Sequence, residues 1–426
     1  MKKKITKEEA LNYHRYPTPG KISITPTKPF ETQKDLSLAY TPGVAYPCLE
    51  IKEDESKAYE YTSKSNLVAV ISNGTAVLGL GNIGAVASKP VMEGKAILFK
   101  RFAGIDVFDI EVDTTDIEKF CEIVKGISPT FGGINLEDIK APECFEIEKI
   151  LKKELPIPVM HDDQHGTAVV SSAALINALY LVNKNIEDVK IVILGAGAAA
   201  IACGMLYKKL GAKHIYMIDS KGVISTKRND LNKYKQEFAV DTDDKTLEDA
   251  MKYADVFIGL SVPGQVTQKM IKSMAKNPII FALSNPTPEI YPEEVYQVRK
   301  DAIIATGRSD YPNQINNVLA FPFIFRGALD CQARDINYEM LKSAVYAIAN
   351  IAREEAPDYL KEIYNEELKF GKNYIIPKAF DTRLLTEVSS AILKTAIETG
   401  SARIKDIDIE KYKKELLSKI STMSNI

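Results

Sequence analysis

The fold is decided by residues 189–200, which read VKIVILGAGAAA. The β-branched apolar run predicts a buried strand, and the small residues after it predict a tight turn that opens a helix. Gly195 permits the turn, Gly197 lets the backbone approach a pyrophosphate, and the small Ala200 allows close packing of helix on strand. Unpaired N–H groups at the helix start suit an anion. The residues predicted to contact a dinucleotide in this turn are Gly195, Ala196, Gly197, Ala198 and Ala199.

Strand-like and helix-length segments alternate after this turn. The further apolar runs are His214–Ile218, Ala254–Leu260, Pro278–Leu283 and Ala302–Ala305. Such alternation predicts a doubly wound parallel sheet. Asp219 ends the second strand, where an acid bonds the adenosine ribose and favours NAD, whereas Lys221 could meet the 2′-phosphate of NADP. The choice between NAD and NADP therefore stays open.

The rest of the chain divides into a region before this sheet and a helical region after it. Strand-like runs in the first region are Leu67–Ile71, Ala96–Phe99, Val107–Ile110 and Pro156–Met160. The predicted class is α/β. We expect an N-terminal α/β substrate domain at residues 1–161, a Rossmann-type NAD(P) domain at residues 162–385, and C-terminal helices at residues 386–426 that pack on the first domain.

The amino-acid composition argues against several classes of function. The 55 basic residues are balanced by 57 acidic ones, so the chain lacks the positive excess of a nucleic-acid-binding protein. Five scattered cysteines without a Cys-x-x-Cys pair argue against a disulfide framework and favour a reducing, cytoplasmic setting. The uncharged stretches 166–183 and 191–207 are rich in Gly and Ala, so we interpret them as buried segments and not as membrane spans.

A second glycine run, GLGNIG at Gly79–Gly84, repeats the dinucleotide spacing in a weaker context. The segment after it reads as short and interrupted by Pro90, and no acid ends a strand at the usual distance. We interpret this run as a tight backbone turn beside a substrate.

Paired acids follow two strand-like stretches, Glu137-Asp138 after Phe131–Leu136 and Asp162-Asp163 after Ile157–Met160. Strand carboxyl ends meet at the crevice where α/β proteins bind ligands. Carboxylates converging there would repel one another unless a cation neutralised them, and oxygen ligands suit Mg²⁺ or Mn²⁺. His161 and His165 flank the second pair and are expected to support the site, since zinc would require more nitrogen or sulfur ligands.

With these segments together, the sequence resembles the malic enzymes of the short microbial type over residues 17–402. The resemblance rests on seven stretches in one order: Tyr40–Ala45, Leu78–Gly84, Glu93–Asp106, His161–Ala168, the GAGAAA turn, Ser284–Pro286, and Thr306–Pro322 with Asn316-Asn317.

The resemblance implies a metal-dependent oxidative decarboxylation of (S)-malate to pyruvate with reduction of NAD(P)⁺. It implies Lys95 as general base and Tyr40 as general acid, Glu137, Asp138 and Asp163 as metal ligands, and Asp162 as a partner that orients Lys95. Asn285 and Asn317 match positions near the nicotinamide and substrate. Ala76 stands where larger members carry an arginine, so Thr75, Asn317 and backbone N–H groups are candidates for the malate carboxylate.

Two other readings stay open. A metal-independent amino-acid dehydrogenase also places a substrate domain before a Rossmann domain, and a non-catalytic module would bind NAD(P) alone. The expected partners are malate and pyruvate, with neither nucleic acid nor membrane. The resemblance also implies a homodimer, in which Tyr40 could serve its own site or that of a neighbouring subunit.

Overall fold

The computed structural model describes residues 5–77 and 79–423, with no side chains described after residue 420. Leu78, the first residue of one stretch that carries the resemblance, lies outside the described residues. Four short helices precede the first sheet: α1 (Lys7–Arg15), α2 (Gln33–Ala39), α3 (Ala45–Glu53) and α4 (Ala58–Tyr61). They lie largely on the surface, because within the described chain none of the four contributes a buried residue.

The first sheet is a four-stranded parallel layer with strand order β2-β1-β3-β4. Its strands are β1 (Leu67–Ser72), β2 (Asp106–Glu111), β3 (Gly133–Leu136) and β4 (Val159–His161), and its helices are α5 (Ala85–Ala103), α6 (Ile117–Ile127) and α7 (Glu143–Glu154). Every residue of β1 is buried, as expected for a central parallel strand covered on both faces. The carboxyl ends of these strands lie at one edge, where both acid pairs follow.

The prediction of a strand at Ala96–Phe99 is wrong, because these residues belong to the 19-residue helix α5. The buried positions Met92, Ala96, Phe99 and Ala103 recur at helical spacing, and a four-residue apolar run cannot by itself distinguish a strand from a buried helix. The segment after Gly84 is therefore neither short nor ended by Pro90, which lies inside the helix. Lys95 projects from a helix and does not begin a strand.

The second sheet has the order β10-β9-β8-β5-β6-β7 and is parallel except for the antiparallel edge strand β7. Helix α8 (Asp162–Val182) leads into it. Its strands are β5 (Lys190–Leu194), β6 (His214–Asp219), β7 (Gly222–Val223), β8 (Val256–Gly259), β9 (Ile279–Ala282) and β10 (Ile303–Thr306). Helices α9 (Ala198–Lys209), α10 (Lys233–Gln236), α11 (Leu247–Met251), α12 (Gln268–Ser273) and α13 (Pro292–Val298) connect them. The predicted doubly wound parallel sheet is confirmed, with β5 at the centre.

Five helices complete the chain: α14 (Phe321–Asp330), α15 (Tyr338–Arg353), α16 (Asp358–Tyr364), α17 (Arg383–Glu398) and α18 (Ile409–Met423). Helices α14 and α18 contact α5, while α17 packs against α14 and α15. The three-part division at residues 161/162 and 385/386 remains a proposal. We base it on the two separate sheets, and α8 begins directly after the last strand of the first sheet.

Helix α8 is, within the described residues, the one helix long and apolar enough to cross a membrane by length and composition. Its most apolar window is 72% buried inside the protein, where it packs against α9 and α15. Core helices of α/β proteins are buried to this extent. The length and apolar composition of α8 therefore do not indicate a membrane span.

Glu111, the last residue of strand β2, lies in an environment that disfavours its charged form. Lys89 Nζ lies 2.6 Å from Asp109 Oδ2 and 3.6 Å from Glu111 Oε2, while Glu111 Oε1 is buried without a hydrogen-bond partner among the described residues. Burial, followed by the hydrogen bond and repulsion from Asp109, raises the pKa of Glu111 to about 7. The folded protein therefore favours the protonated form of Glu111.

We expect Glu111→Gln to flatten the pH dependence of stability. A carboxyl whose pKa is raised on folding contributes stability below its unfolded pKa, and this contribution is lost as the pH rises through about 7. The full shift would correspond to about 3 kcal/mol, and solvent contact with the side chain reduces the expected effect to about 1 kcal/mol. Urea unfolding at pH 5 and pH 8 should show Glu111→Gln gaining stability only at pH 8. Asp113→Asn, at an exposed neighbouring position, is the matched control and should show no such gain.

Candidate active site

Three carboxylates meet at the carboxyl edge of the first sheet. Glu137 and Asp138 follow β3, and Asp163 lies in the first turn of α8; one oxygen from each lies within 4.8 Å of the others. The backbone N–H of Asp138 donates to Asp163 Oδ2 at 2.7 Å, which holds the two segments together. Asn135 Nδ2 donates to Glu137 Oε2 at 2.8 Å and orients that side chain. The structure thus brings together the three predicted metal ligands.

The electrostatics of this cluster favour a cation. Burial, followed by repulsion from Asp163, raises the pKa of Asp138 to about 8. Burial and the neighbouring acids also raise the pKa of Glu137 well above its ordinary value, although Lys95 opposes them. Asp138 Oδ2 is buried and has no hydrogen-bond partner in the described part of the chain. An all-oxygen set with an unpaired buried oxygen fits Mg²⁺ or Mn²⁺, and Glu137, Asp138 and Asp163 would hold it.

Lys95 lies between two acids. Its Nζ is 2.7 Å from Asp162 Oδ2 and 3.0 Å from Glu137 Oε1, and it stands 4.3 Å from the ring centre of Phe321. Burial alone would lower the pKa of Lys95, but the charges of Asp162 and Glu137 outweigh it and raise the pKa above its ordinary value. The amine is therefore protonated when only its carboxylate neighbours surround it.

Asn317 joins the same cluster from the other side. Its Nδ2 donates to Asp162 Oδ2 at 3.1 Å, and its Oδ1 accepts from Thr167 Oγ1 at 3.0 Å. Gly166 is required close by, since a Cβ there would lie 1.9 Å from Asp162 Oδ1. Asp162 is fully buried and holds both Lys95 and Asn317 in place.

The groups that the sequence suggests as partners of a malate carboxylate already hydrogen-bond within the protein. Thr75 Oγ1 donates to Asn73 Oδ1 at 2.7 Å and accepts from the N–H of Lys140 at 3.0 Å. The N–H groups of Thr75 and Ala76 donate to Asn73 Oδ1 and to the carbonyl oxygen of Asp138. Thr75 therefore braces the loop that carries Asp138, and a substrate could use it only by displacing an existing hydrogen bond.

The dinucleotide turn has the geometry that the sequence suggests. Gly195 has φ +122° at the end of β5, and a Cβ there would lie 2.5 Å from the carbonyl oxygen of Leu260. Gly197 precedes α9 without a side-chain cap, and a Cβ there would meet nothing within 4 Å. Ala196 forms the turn with them, and Ala198 and Ala199 begin the helix, whose first N–H groups have no acceptor within the helix and suit a pyrophosphate.

Asp219 is held by cations at the end of β6. Its two oxygens accept from Arg228 Nη1 at 2.8 Å, Arg228 Nη2 at 3.0 Å, Lys235 Nζ at 2.7 Å and the backbone N–H of Lys221 at 2.9 Å. Burial opposes the charged form, but these hydrogen bonds lower the pKa of Asp219 to about 2. A carboxylate offers about four acceptor positions, and all of those of Asp219 are taken.

The Gly79–Gly84 turn reaches the second sheet. Gly79 has φ +75°, and a Cβ there would lie 3.3 Å from the carbonyl oxygen of Asn285 in the loop after β9. Arg308 Nη1 donates to the carbonyl oxygen of Pro286 in the same loop at 2.8 Å. The turn thus lies against the loop that carries Asn285.

Tyr40 is the predicted site residue that the single chain leaves outside the cluster. Its side chain is 68% exposed, and no hydrogen bond joins it to Lys95 or to the three acids among residues 5–77 and 79–423. It follows α2 on the surface, in the region whose helices bury nothing.

Comparison with known proteins identifies the family of the chain. Family models of the malic enzyme N-terminal domain and the malic enzyme NAD binding domain match residues 19–152 and 164–366. The NADP-dependent malic enzyme of Halomonas elongata is 56% identical over 93% of this chain and 95% of its own length. The chain belongs to the malic enzyme family.

Its relatives differ in length. The probable NADP-dependent malic enzyme of Rickettsia prowazekii is 58% identical over 99% of this chain, which spans 56% of that protein. The chain thus spans about half the length of several curated relatives that it matches. The crystal structure of malic enzyme from Pyrococcus horikoshii has a TM-score of 0.89 and 42% identity, covering 98% of this chain and 96% of that one. Family membership sets aside the amino-acid dehydrogenase reading.

Several residues around the candidate site could not be predicted from the sequence. Phe321 lies far along the chain from Lys95. Arg228 and Lys235 lie only 9 and 16 residues after Asp219, and Glu148 lies 17 residues before His165, but no motif marks these three residues. Asn135 could have been found, since it lies two residues before Glu137 and so projects on the same face of β3.

Proposed function

We propose that this chain catalyses (S)-malate + NAD(P)⁺ → pyruvate + CO₂ + NAD(P)H. The observation that carries the proposal is the position of Lys95 Nζ, 3.0 Å from one acid of the three-carboxylate cluster and 2.7 Å from Asp162. An amine beside a cation site is the arrangement required to remove a proton from a hydroxyl group bound there. The dinucleotide turn supplies a place for the hydride acceptor.

We propose distinct tasks for the residues. A divalent cation bound by Glu137, Asp138 and Asp163 would supply Lewis-acid stabilisation of negative charge on the substrate oxygens. Lys95 Nζ would accept the proton of the C2 hydroxyl group and pass from its neutral to its charged form. Once Glu137 shares its charge with a cation, its contribution to raising the pKa of Lys95 is weakened, which favours the neutral amine. Tyr40 would donate a proton to C3 of the enol product.

The cluster around Asp219 favours NADP over NAD. Lys221, Arg228 and Lys235 surround two carboxylates, Asp219 and Asp230, which leaves one positive charge in excess. Because Asp219 already accepts four hydrogen bonds, it would bind a ribose hydroxyl only by releasing a donor. The three cations can instead share their donors with a 2′-phosphate. We therefore propose that Asp219 serves to position these cations.

Lys235→Ala should lower kcat/KM for NADP by about 10-fold and change that for NAD much less, because one charge-assisted hydrogen bond to the 2′-phosphate is lost. Lys233→Ala is the matched control: Lys233 lies two residues away in the same short helix, is exposed, and pairs with Glu146. Initial rates with each dinucleotide measure the effect. An equal loss with NAD and NADP would contradict a 2′-phosphate role.

We also propose a homodimer in which the N-terminal region contacts the partner. Apolar side chains are exposed along this region: Ile24 by 81%, Phe30 by 60%, Leu38 by 63% and Tyr46 by 74%. Leu80 and Val86, beside the start of the helix that carries Lys95, are 67% and 86% exposed. Apolar surface of this extent marks an interaction site. A second copy would cover both surfaces and bring its Tyr40 to the Lys95 cluster.

The direct test is absorbance at 340 nm with malate, NAD or NADP, and Mg²⁺ or Mn²⁺. We expect malate-dependent reduction that a strong chelator abolishes and an excess of the metal restores. Reduction that survives the chelator would contradict the metal requirement. Dinucleotide binding without malate-dependent reduction would favour the non-catalytic reading. We also propose a reducing, cytoplasmic setting for this activity, from the scattered cysteines of the sequence.

A further inference from the structure

His161 is a buried side chain without hydrogen bonds. It is the last residue of β4, its exposure is 0%, and neither ring nitrogen has a hydrogen-bond partner among the described residues. Leaving a buried polar group unpaired destabilises a protein, and such groups are rare in folded chains. Among the neighbours of the ring, one group could become its hydrogen-bond partner.

The backbone of His161 is held in place, whereas the side chain of one neighbour is partly exposed. The backbone of His161 pairs with Leu136 in the sheet, and its N–H donates to the buried carboxylate of Glu148 at 3.1 Å. Asp163, one turn into α8, has a side chain that is 32% exposed, and its Oδ2 lies 3.8 Å from His161 Nδ1. This separation exceeds a hydrogen bond by less than 1 Å and can be closed by rotation of the Asp163 side chain.

We propose that His161 is a positioning residue for the cation site. When Asp163 turns to ligate a divalent ion, one carboxylate oxygen reaches His161 Nδ1, and the N–H of the ring donates to it. Ligation of an ion by Asp163 would thus give the buried ring its hydrogen-bond partner. Groups that hydrogen-bond to a ligating carboxylate orient it and strengthen ion binding, often by 10–100-fold. The proposal rests on the cation site of the proposed function.

The test compares His161→Leu, which lacks a donor, with His161→Asn, whose amide can donate from a similar position. Mn²⁺ binding is followed by the electron paramagnetic resonance signal of free Mn²⁺ in the full chain, without malate or dinucleotide. We expect His161→Leu to weaken Mn²⁺ binding by about 10–100-fold and His161→Asn to retain most of the affinity. Thermal unfolding without metal should show His161→Leu at least as stable as the unsubstituted protein, since no hydrogen bond is lost.

His165→Leu is the control for a purely structural histidine. His165 Nε2 bonds Glu148 Oε2 at 3.0 Å, so its loss should lower stability with and without Mn²⁺. Unchanged Mn²⁺ affinity in His161→Leu would overturn the proposal and leave the cation site intact. Reduced metal-free stability in both His161 variants, with an equal loss of Mn²⁺ affinity in His161→Leu and His161→Asn, would assign His161 a structural role and also overturn it. Failure of the unsubstituted protein to bind Mn²⁺ would refute the cation site itself, and the proposal with it.

Discussion

Lys95→Met should reduce kcat for malate oxidation by at least about 10³-fold, since general base catalysis contributes 10²–10⁴ in rate and methionine has no group to replace it. The substitution removes the amine that lies between Asp162 and Glu137 but keeps a side chain of similar length. Initial rates at saturating malate and dinucleotide measure the loss. Dinucleotide affinity, followed by the fluorescence of the reduced cofactor, should stay close to that of the unsubstituted protein, because the glycine turn lies on the second sheet.

Lys89→Met is the matched control. Lys89 lies six residues earlier on the same helix, where it pairs with Asp109 and Glu111, away from the three-carboxylate cluster. It should retain most of the activity. The Lys95 variant should also bind Mn²⁺ at least as tightly as the unsubstituted protein, because a positive charge beside the site has been removed. Substantial turnover by Lys95→Met would exclude this residue as the base.

A mixture of two inactive variants should recover activity if Tyr40 acts in the partner's site. Tyr40→Phe lacks the acid and Lys95→Met lacks the base, so each homodimer is expected to be inactive. After joint unfolding and refolding of equal amounts, about half of the dimers should be mixed, and each mixed dimer has one site with both groups intact. The expected activity is about a quarter of that of the unsubstituted protein, against almost none for either variant alone.

The opposite outcome is equally informative. If Tyr40 serves the site of its own chain, no mixed dimer contains a complete site, and refolding together restores nothing. Refolded mixtures of each variant with itself control for the yield of folded protein. A chain that stays monomeric in sedimentation while active would refute both the dimer and the role of Tyr40 across the interface.

Much of the second sheet could be predicted from local patterns. A buried parallel strand, a glycine turn and a helix start are consecutive in sequence, so β5, the turn at Gly195 and α9 follow from one another over short distances. The strand predicted at Ala96–Phe99 failed because four apolar residues fit either periodicity. The helix is favoured because Met92 and Ala103 are buried in the core, and the local sequence does not show which residues they pack against.

The partners of the site residues were far harder to predict. Lys95 meets Asp162 across 67 residues, and Asn317 meets Asp162 across 155. Only the folding of β3, β4, α5 and α8 around one sheet edge brings such pairs together. Thr75 is already hydrogen-bonded within the protein, and the acceptor positions of Asp219 are all occupied. Both facts depend on contacts in the folded chain, and each changes the role that the residue type alone suggests.

By itself, the sequence determined the alternation of strands and helices, the dinucleotide turn, and the family to which the chain belongs, because these are encoded in contiguous residues. The tertiary structure alone decided that Lys95 lies between two acids, that three carboxylates meet within 4.8 Å, and that Tyr40 lies outside this group in one chain. The physical reason is that charge and hydrogen bonding act over a few ångströms in space, whatever the separation along the chain.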